Sequence, residues 1–169
     1  TRFFMGVLKE VLTDQQKIVT DNGTLDYDIL VLAMGTETNF FGNDQIKKNS
    51  LPMKSIDDAL RMRNHILLQL EKAVRSDQDT DKKRLSSVVI AGGGPTGVEL
   101  AGMMAEMGSH IIKKDYPEAK SGLGKIYLVD GLQTLLAPMS DKSQAEAIKV
   151  LKNLGVEIML GKLVQNYDG

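Results

Sequence analysis

The chain has 169 residues, of which 42% are hydrophobic and 25% are charged, enough to bury one ordinary globular core. Its 21 basic and 22 acidic residues leave a net charge of -1, which excludes the strongly basic surface of a nucleic-acid-binding protein. The absence of cysteine excludes a disulfide, a thiolate metal site and a redox-active dithiol within the chain. The histidines His65 and His110 have no partners at metal-ligand spacing, so we predict no metal site.

The N-terminal part of the chain has the pattern of a small antiparallel meander. Residues 3–12 and 17–19 are β-like, with a turn at residues 14–16 between them and a second turn at Asp21-Asn22-Gly23, whose Asn-Gly pair favours a positive φ. Residues 27–33 then form a continuous apolar run, which predicts a strand buried on both faces. Met34-Gly35-Thr36 ends this predicted strand.

A long helix is predicted after a polar, turn-rich stretch at residues 36–52. Ser55 is a candidate N-cap with an acidic residue, Asp58, three positions later. Apolar residues then keep helical spacing on one face, at Leu60, Ile66, Leu67, Leu70 and Val74. The charged residues 75–84 follow, and we interpret them as an exposed connector that contains a domain boundary.

The remaining sequence alternates strand and helix. Strand 86–91, a glycine turn at 92–94, a helix from 95 to about 113 and strand 125–130 form a βαβ unit. A second helix begins near Ser140, ends at Gly155 and leads into strand 156–160. This order predicts an α/β fold with a Rossmann-like, doubly wound parallel sheet.

The glycine turn fits the pattern G-x-G-x-x-G directly after a predicted buried strand and at a helix start. Gly92 would make the tight turn, Gly94 would admit a pyrophosphate close to the backbone, and Gly97 would let the helix pack against the sheet. Pro95 suits the first helical turn because its missing N–H costs nothing there. We therefore predict a dinucleotide site on the six residues Gly92, Gly93, Gly94, Pro95, Thr96 and Gly97. The alternative is a glycine turn without a ligand.

Asp130, at the end of the next predicted strand, is the candidate for binding the adenosine ribose. Its charge would repel a 2′-phosphate and so lower the affinity for NADP(H) by roughly one to three orders of magnitude, which favours NAD(H). Asp130 lies 38 positions after Gly92, against about 20 in the standard fingerprint. We assign the excess to an insertion at residues 109–124, of unassigned role. The alternative for Asp130 is a plain carboxylate at a strand end.

Glu99 is expected on the first turn of the helix that follows the glycines, where the helix dipole stabilises a negative side chain with or without a chemical role. The residues alone leave both interpretations open.

With these residues in place, the chain resembles the pyridine-nucleotide flavoprotein oxidoreductases, and within them the type II NADH dehydrogenases. Residues 24–35, ending in Ala33-Met34-Gly35, are similar to the second flavin motif of the family, with Met34 in place of its usual threonine. Residues 51–60 look like the crossover into the linking helix of the family, and residues 92–101 resemble its NADH-domain motif.

The resemblance implies three segments. Residues 1–54 would be the end of the first FAD-domain segment, residues 55–84 a linking helix and connector, and residues 85–169 a truncated NADH domain. It places Ala33, Met34 and Gly35 beside FAD, and Glu99 near the nicotinamide and flavin, where it would be the catalytic residue. The chain would thus be an internal fragment, and both Thr1 and the unreturned turn at residues 166–169 agree with this interpretation.

We expect the full-length enzyme to be an FAD-dependent NADH dehydrogenase that passes electrons to a quinone or similar acceptor. It would be cytoplasmic, peripheral on the cytoplasmic membrane and a homodimer there. The fragment itself is expected to bind NAD(H), to lack FAD and activity, and to self-associate through the uncovered apolar residues Phe3, Phe4, Val11 and Leu30. The alternatives are another flavoprotein reductase, acting on ferredoxin, nitrite or a disulfide, and a non-catalytic NAD-binding module.

Overall fold

The structure of the chain is a computed structural model that describes residues 2–112, 114, 116 and 124–169. The chain divides into two compact units, Thr1–Glu37 and Thr38–Gly169. The segment boundaries near residues 54 and 84 that the sequence suggested stay a prediction.

The first unit contains the predicted antiparallel meander. Strands β1 (Leu8–Leu12), β2 (Lys17–Thr20) and β3 (Gly23–Asp26) pair in that order, and a 3-10 turn at Thr13–Gln15 joins β1 to β2. The second turn lies within the predicted segment Asp21-Asn22-Gly23. Gly23 already pairs with Thr20 in the ladder, so the turn itself consists of Asp21 and Asn22. The hydroxyl of Thr20 stabilises this turn, since it accepts a hydrogen bond from the backbone N–H of Asn22 at 3.1 Å.

The prediction of a buried strand at residues 27–33 is wrong. These residues form irregular backbone, and the side chains of Ile29 and Val31 are 86% and 80% exposed. A strand buried on both faces requires neighbouring strands at its edges, and no strand within the described residues pairs with this run. The turn predicted to end this strand at Met34-Gly35-Thr36 is also missing, since these residues continue the irregular backbone, although Gly35 has a positive φ of 76°. Self-association through the exposed apolar residues of this unit stays a prediction.

The second unit begins with three helices: α1 (Asp44–Asn49), α2 (Ile56–Arg75) and α3 (Asp79–Ser86). Helix α1 lies in the stretch that the sequence predicted to be turn-rich. Its Asn43 cap accepts a hydrogen bond from the N–H of Ile46 at 2.9 Å and donates one to the carbonyl of Gln165 at 2.8 Å. Asn49 likewise donates to the carbonyl of Tyr167 at 2.9 Å. These contacts attach residues 165–167 to α1, and the predicted turn at residues 166–169 does not form, because these residues have no regular structure.

Helix α2 begins with the predicted capping box. The Ser55 hydroxyl accepts from the N–H of Asp58 at 3.1 Å, and the Asp58 carboxylate accepts from the N–H of Ser55 at 2.9 Å. The buried face of α2 consists of Leu70 and Ala73, with Met62 and Ile66 beside them. The predicted face was only partly right, because Leu60 and Leu67 remain 43% and 41% exposed. The apolar residues of α2 form two adjacent stripes, and the core covers one of them.

The connector predicted at residues 75–84 is largely helical. Helix α3 has acidic residues in its first turn and basic residues in its last, an order that complements the helix dipole. Ion pairs Asp79–Lys82 and Asp81–Arg84, each at 3.7 Å, join residues three apart on its surface. The same charges that suggested a linker thus support an exposed helix.

The parallel sheet confirms the predicted fold class. Strands β4 (Val88–Ala91), β5 (Ile126–Asp130) and β6 (Glu157–Leu160) are parallel and adjacent in that order. Helix α4 (Pro95–Glu106) lies between β4 and β5 in the chain, and α5 (Asp141–Asn153) lies between β5 and β6. Ser140 caps the start of α5, and Gly155 follows its end with a φ of 83°, as predicted.

The core lies between this sheet and the helices. Leu128 of β5, Ala101 and Met104 of α4, Leu151 of α5 and Leu70 of α2 are all 2% exposed or less. The chain continues from α4 into a π-helical turn at Met107–Ile112, so the predicted helix persists to residue 112 with altered hydrogen bonding. Most of the predicted insertion at 109–124 cannot be placed, because residues 113, 115 and 117–123 lie outside the described residues.

Candidate functional site

The predicted dinucleotide site lies at the carboxyl edge of the parallel sheet. β4 ends at Ala91, β5 ends at Asp130, and the glycine turn leaves β4 towards α4 at this edge. The N–H of Gly92 donates to the carbonyl of Val129 at 2.8 Å and so continues the sheet ladder. The φ of Gly92 is 116°, a value that side-chain-bearing residues rarely adopt. The tight turn predicted for Gly92 is therefore present.

Gly97 provides the predicted close packing of helix against strand. A Cβ atom at residue 97 would lie 1.8 Å from the carbonyl oxygen of Gly92 and 3.6 Å from Cδ1 of Leu128. No side chain fits there, because the first of these obstacles is backbone. The absence of a side chain at Gly97 is thus required by the protein itself.

Gly94 differs from Gly97, because a Cβ atom there would meet no protein atom within 4 Å. Its φ of -75° is accessible to any residue. Gly94 is also the N-cap of α4, and no side chain caps this helix start. The unpaired N–H groups of a first helical turn attract anions. Open space, free donors and the positive end of the helix dipole together fit a dinucleotide diphosphate.

The carboxylate of Asp130 contacts the glycine turn directly. Its Oδ2 accepts a hydrogen bond from the N–H of Gly93, and its Oδ1 accepts one from the N–H of Leu132 at 2.6 Å. A carboxylate has about four lone-pair positions, so two remain for the hydroxyls of a ribose. Asp130 therefore connects the predicted ribose position to the glycine turn. The sequence did not reveal this contact, because Asp130 and Gly93 are far apart along the chain.

The loop after β5, which the sequence did not single out, packs against the glycine turn. Residues 131–139 follow β5, and the N–H of Leu136 donates to the carbonyl of Gly93 at 2.8 Å. Leu135 is fully buried, and its Cδ2 would lie 2.6 Å from a Cβ atom at Gly93. Gly93 is thus fixed between Asp130 and this loop. The sequence feature that could have indicated this loop is the apolar pair Leu135-Leu136 within an otherwise turn-forming stretch.

Glu99 is the fifth residue of α4, since the helix begins at Pro95. The prediction that Glu99 lies on the first turn is therefore wrong. The helix dipole acts mainly over the first turn, so it stabilises the Glu99 carboxylate less than the sequence suggested. Its side chain is exposed. Within the part of the chain that the structure describes, its carboxylate takes part in no ion pair.

The predicted flavin motif belongs to the first compact unit. Ala33 and Met34 lie in irregular backbone, and the Met34 side chain is 73% exposed. Gly35 has a φ of 76°, and no atom of the described residues lies within 4 Å of its Cβ position. The backbone at Gly35 is thus open to a ligand, without the strand or the turn that the sequence predicted there.

Among the described residues, no group of three His, Cys, Asp or Glu side chains is placed to hold a metal ion. The helices in that same part of the chain are too short or too polar to cross a membrane.

The sequence profile of the family described as pyridine nucleotide-disulphide oxidoreductase matches residues 3–169. A type II NADH:quinone oxidoreductase of Mycobacterium tuberculosis is 39% identical over 142 residues, which are 84% of this chain and 31% of that protein. An external alternative NAD(P)H-ubiquinone oxidoreductase of Arabidopsis thaliana is 31% identical over 141 residues, 83% of this chain and 24% of that protein. The chain thus spans about a third or less of these relatives.

Solved structures agree with the sequence relatives. NDH2 from Plasmodium falciparum in complex with NADH superimposes with a TM-score of 0.79 at 27% identity, covering 96% of this chain and 34% of that one. A putidaredoxin reductase shares the fold with a TM-score of 0.55 at 20% identity, covering 95% of this chain and 33% of that one. The resemblance inferred from the motifs is confirmed, and the chain belongs to the pyridine nucleotide-disulphide oxidoreductase family.

Proposed function

We propose that the chain is the NADH-binding portion of an FAD-dependent NADH dehydrogenase that passes electrons to a quinone or a similar acceptor. The observation that carries the proposal is the contrast between Gly97 and Gly94. The fold requires glycine at residue 97, but no atom of the described residues lies within 4 Å of the Cβ position at residue 94. A ligand that approaches the backbone at the start of α4 accounts for this space, and a diphosphate has the charge that a helix start attracts.

The arrangement around Asp130 supports NADH in preference to NADPH. The carboxylate lies at the end of β5 next to the glycine turn, where its free lone pairs can accept hydrogen bonds from both ribose hydroxyls. A 2′-phosphate in the same place would bring two negative groups together at a cost of about 1–4 kcal/mol, depending on the local dielectric. Asp130 is thereby both a ribose ligand and a support of the diphosphate turn.

In the complete enzyme, the residues of this chain would bind and orient the reactants. The backbone of residues 92–97 would hold the diphosphate, Asp130 the ribose, and Glu99 would place the nicotinamide. Ala33, Met34 and Gly35 would contact FAD through the open backbone at Gly35. When bound, FAD supplies the hydride-accepting chemistry. No side chain of this chain needs to act as a nucleophile.

The proposal extends to the partners and location of the complete enzyme. We infer a homodimer attached peripherally to the cytoplasmic face of a membrane, where a quinone would be reached. The isolated chain would self-associate instead, because large apolar side chains such as Phe3 remain 87% exposed. Light scattering at rising concentration would reveal this self-association, and a constant monomeric mass would contradict it.

The test of the proposed site is calorimetric titration of the chain with NADH, before and after the substitution Gly94→Ala. The added methyl group meets no atom of the described residues, and alanine is a slightly poorer N-cap than glycine, so the unfolding midpoint should be unchanged or slightly lowered. It should nevertheless weaken NADH binding by about tenfold or more, because it occupies the space of the diphosphate.

Gly102→Ala is the matched control, since it adds the same methyl group to α4 at an ordinary contact distance of 3.8 Å from Leu151. NADH affinity should not change in this variant. The proposed site would be refuted if the unsubstituted chain bound no NADH, or if Gly94→Ala bound it as tightly as the unsubstituted chain.

A further inference from the structure

We propose that Gln144 is a positioning residue for the dinucleotide site, which it stabilises from α5 through the loop at residues 131–139. The inference rests on the proposed function, because it concerns the same glycine turn. Gln144 is half-buried and does not itself reach that turn. Its effect would pass through a continuous series of hydrogen bonds that ends at Gly93.

The side chain of Gln144 fastens the loop at both ends of a short segment. Its Oε1 accepts a hydrogen bond from the hydroxyl of Thr134 at 2.8 Å. Its Nε2 donates to the carbonyl of Met139 at 2.8 Å and, more weakly, to that of Ala137 at 3.4 Å. Both the acceptor and the donor of the amide are therefore used, which hydrophobic side chains of the same size could not reproduce.

The loop transmits this attachment to the glycine turn through backbone hydrogen bonds. The N–H of Met139 donates to the carbonyl of Leu136 at 2.7 Å, and the N–H of Leu136 donates to the carbonyl of Gly93 at 2.8 Å. Leu136 has a φ of 53°, which is unfavourable for a leucine and persists only where surrounding contacts impose it. Gln144 bonds to residues on both sides of Leu136, at Thr134 before it and at Ala137 and Met139 after it.

The carbonyl of Gly93 matters for a ligand because it belongs to the same planar peptide group as the N–H of Gly94. In a trans peptide the C=O and N–H bonds point in opposite directions, and no peptide bond among the described residues, including that between Gly93 and Gly94, is cis. Since Leu136 holds the Gly93 carbonyl towards the loop, the Gly94 N–H points away from the loop. This is the open side, where no protein atom lies within 4 Å of the Gly94 Cβ position.

The substitution Gln144→Met tests the inference, because methionine keeps the size of glutamine and removes all of its hydrogen bonds. Calorimetry should show NADH binding weakened by about three- to tenfold, the loss expected from hydrogen bonds of ordinary strength. Hydrogen exchange at the Leu136 amide should also become faster in the absence of NADH. Ala145→Met is the matched control, since it places methionine on the exposed neighbouring residue of α5.

Thr134→Val is a second, nearly isosteric variant, which removes the bond from the Thr134 hydroxyl to Gln144 and the longer bond of that hydroxyl to the carbonyl of Leu135 at 3.2 Å. It leaves the bonds of Gln144 to Ala137 and Met139 in place, so it should weaken NADH binding in the same direction by a smaller factor. A purely structural role would lower the unfolding midpoint without changing the affinity of the folded chain. Normal NADH affinity in both folded variants would therefore overturn the inference and leave the proposed function intact. Absence of NADH binding by the unsubstituted chain would instead overturn the proposed function, and the inference with it.

Discussion

The Cα atom of Gly97 packs directly against the carbonyl oxygen of Gly92, so that a Cβ atom at residue 97 would stand only 1.8 Å from that oxygen. Gly97 lies in the first turn of α4 and Gly92 directly follows the end of β4, so their contact sets the distance between helix and sheet. The same contact leaves the intervening Gly94 at the open edge of the sheet.

Gly97→Ala should destabilise the chain by about 3 kcal/mol or more, because backbone must move to admit the methyl group. Chemical denaturation followed by circular dichroism measures this loss. Gly102→Ala, on the same helix, should instead be neutral or stabilising by up to about 1 kcal/mol, since alanine is the better helix former. Equal stability of the two variants would mean that α4 and β4 are further apart than the structure places them.

Asp130→Asn should reduce the preference for NADH over NADPH by about tenfold or more, because it removes the charge that would repel a 2′-phosphate. NADH affinity should also fall, since an amide oxygen accepts fewer hydrogen bonds than a carboxylate and Gly93 and Leu132 compete for it. Parallel titrations with both nucleotides check this. An unchanged ratio of the two affinities would show that Asp130 does not contact the ribose.

Glu99→Gln should slow NADH oxidation by the complete enzyme if the carboxylate places the nicotinamide. Steady-state kinetics measures the effect, and we expect kcat to fall more than KM rises. The exposed position of Glu99 on the second turn of α4 means that the variant should keep the unfolding midpoint of the original protein. Unchanged kinetics would return Glu99 to the role of an ordinary surface carboxylate.

The stability of α2 should depend on pH through Asp58. Hydrogen bonds from the backbone N–H and the hydroxyl of Ser55 hold the pKa of the Asp58 carboxyl below its usual value of 3.8. A lowered pKa means that the folded state favours the ionised carboxylate. Its contribution to stability is complete above the usual pKa of 3.8 and is lost as the pH falls through the lower pKa of the folded state.

Asp58→Ala should therefore lower the unfolding midpoint near neutral pH, and its difference from the unsubstituted chain should shrink as the pH falls below 3.8. Asp57→Ala is the control, because it removes a charge from the same helical turn without removing a capping contact. A difference for Asp58→Ala that persists at low pH would attribute its effect to something other than the ionised capping box.

Local features of the fold could be predicted because neighbouring residues determine them. The capping box of Ser55 and Asp58 and the helix end at Gly155 follow from backbone groups that must be satisfied within a few residues. The alternation of strand and helix after residue 86 follows from apolar periodicity in the same way. By contrast, residues 27–33 have the composition of a buried strand, but burial needs partner strands, which composition cannot supply.

The sequence by itself determined where the glycine turn lies, which helix it begins and which acidic residue ends the next strand, because spacing and residue type suffice for each. Only the tertiary structure decided that Asp130 binds the Gly93 N–H and that Leu136 holds the Gly93 carbonyl. These contacts join residues about 40 positions apart in the chain, brought together by parallel pairing of β4 with β5. The spacing of residues along the chain cannot predict such contacts, since they depend on packing across the whole sheet.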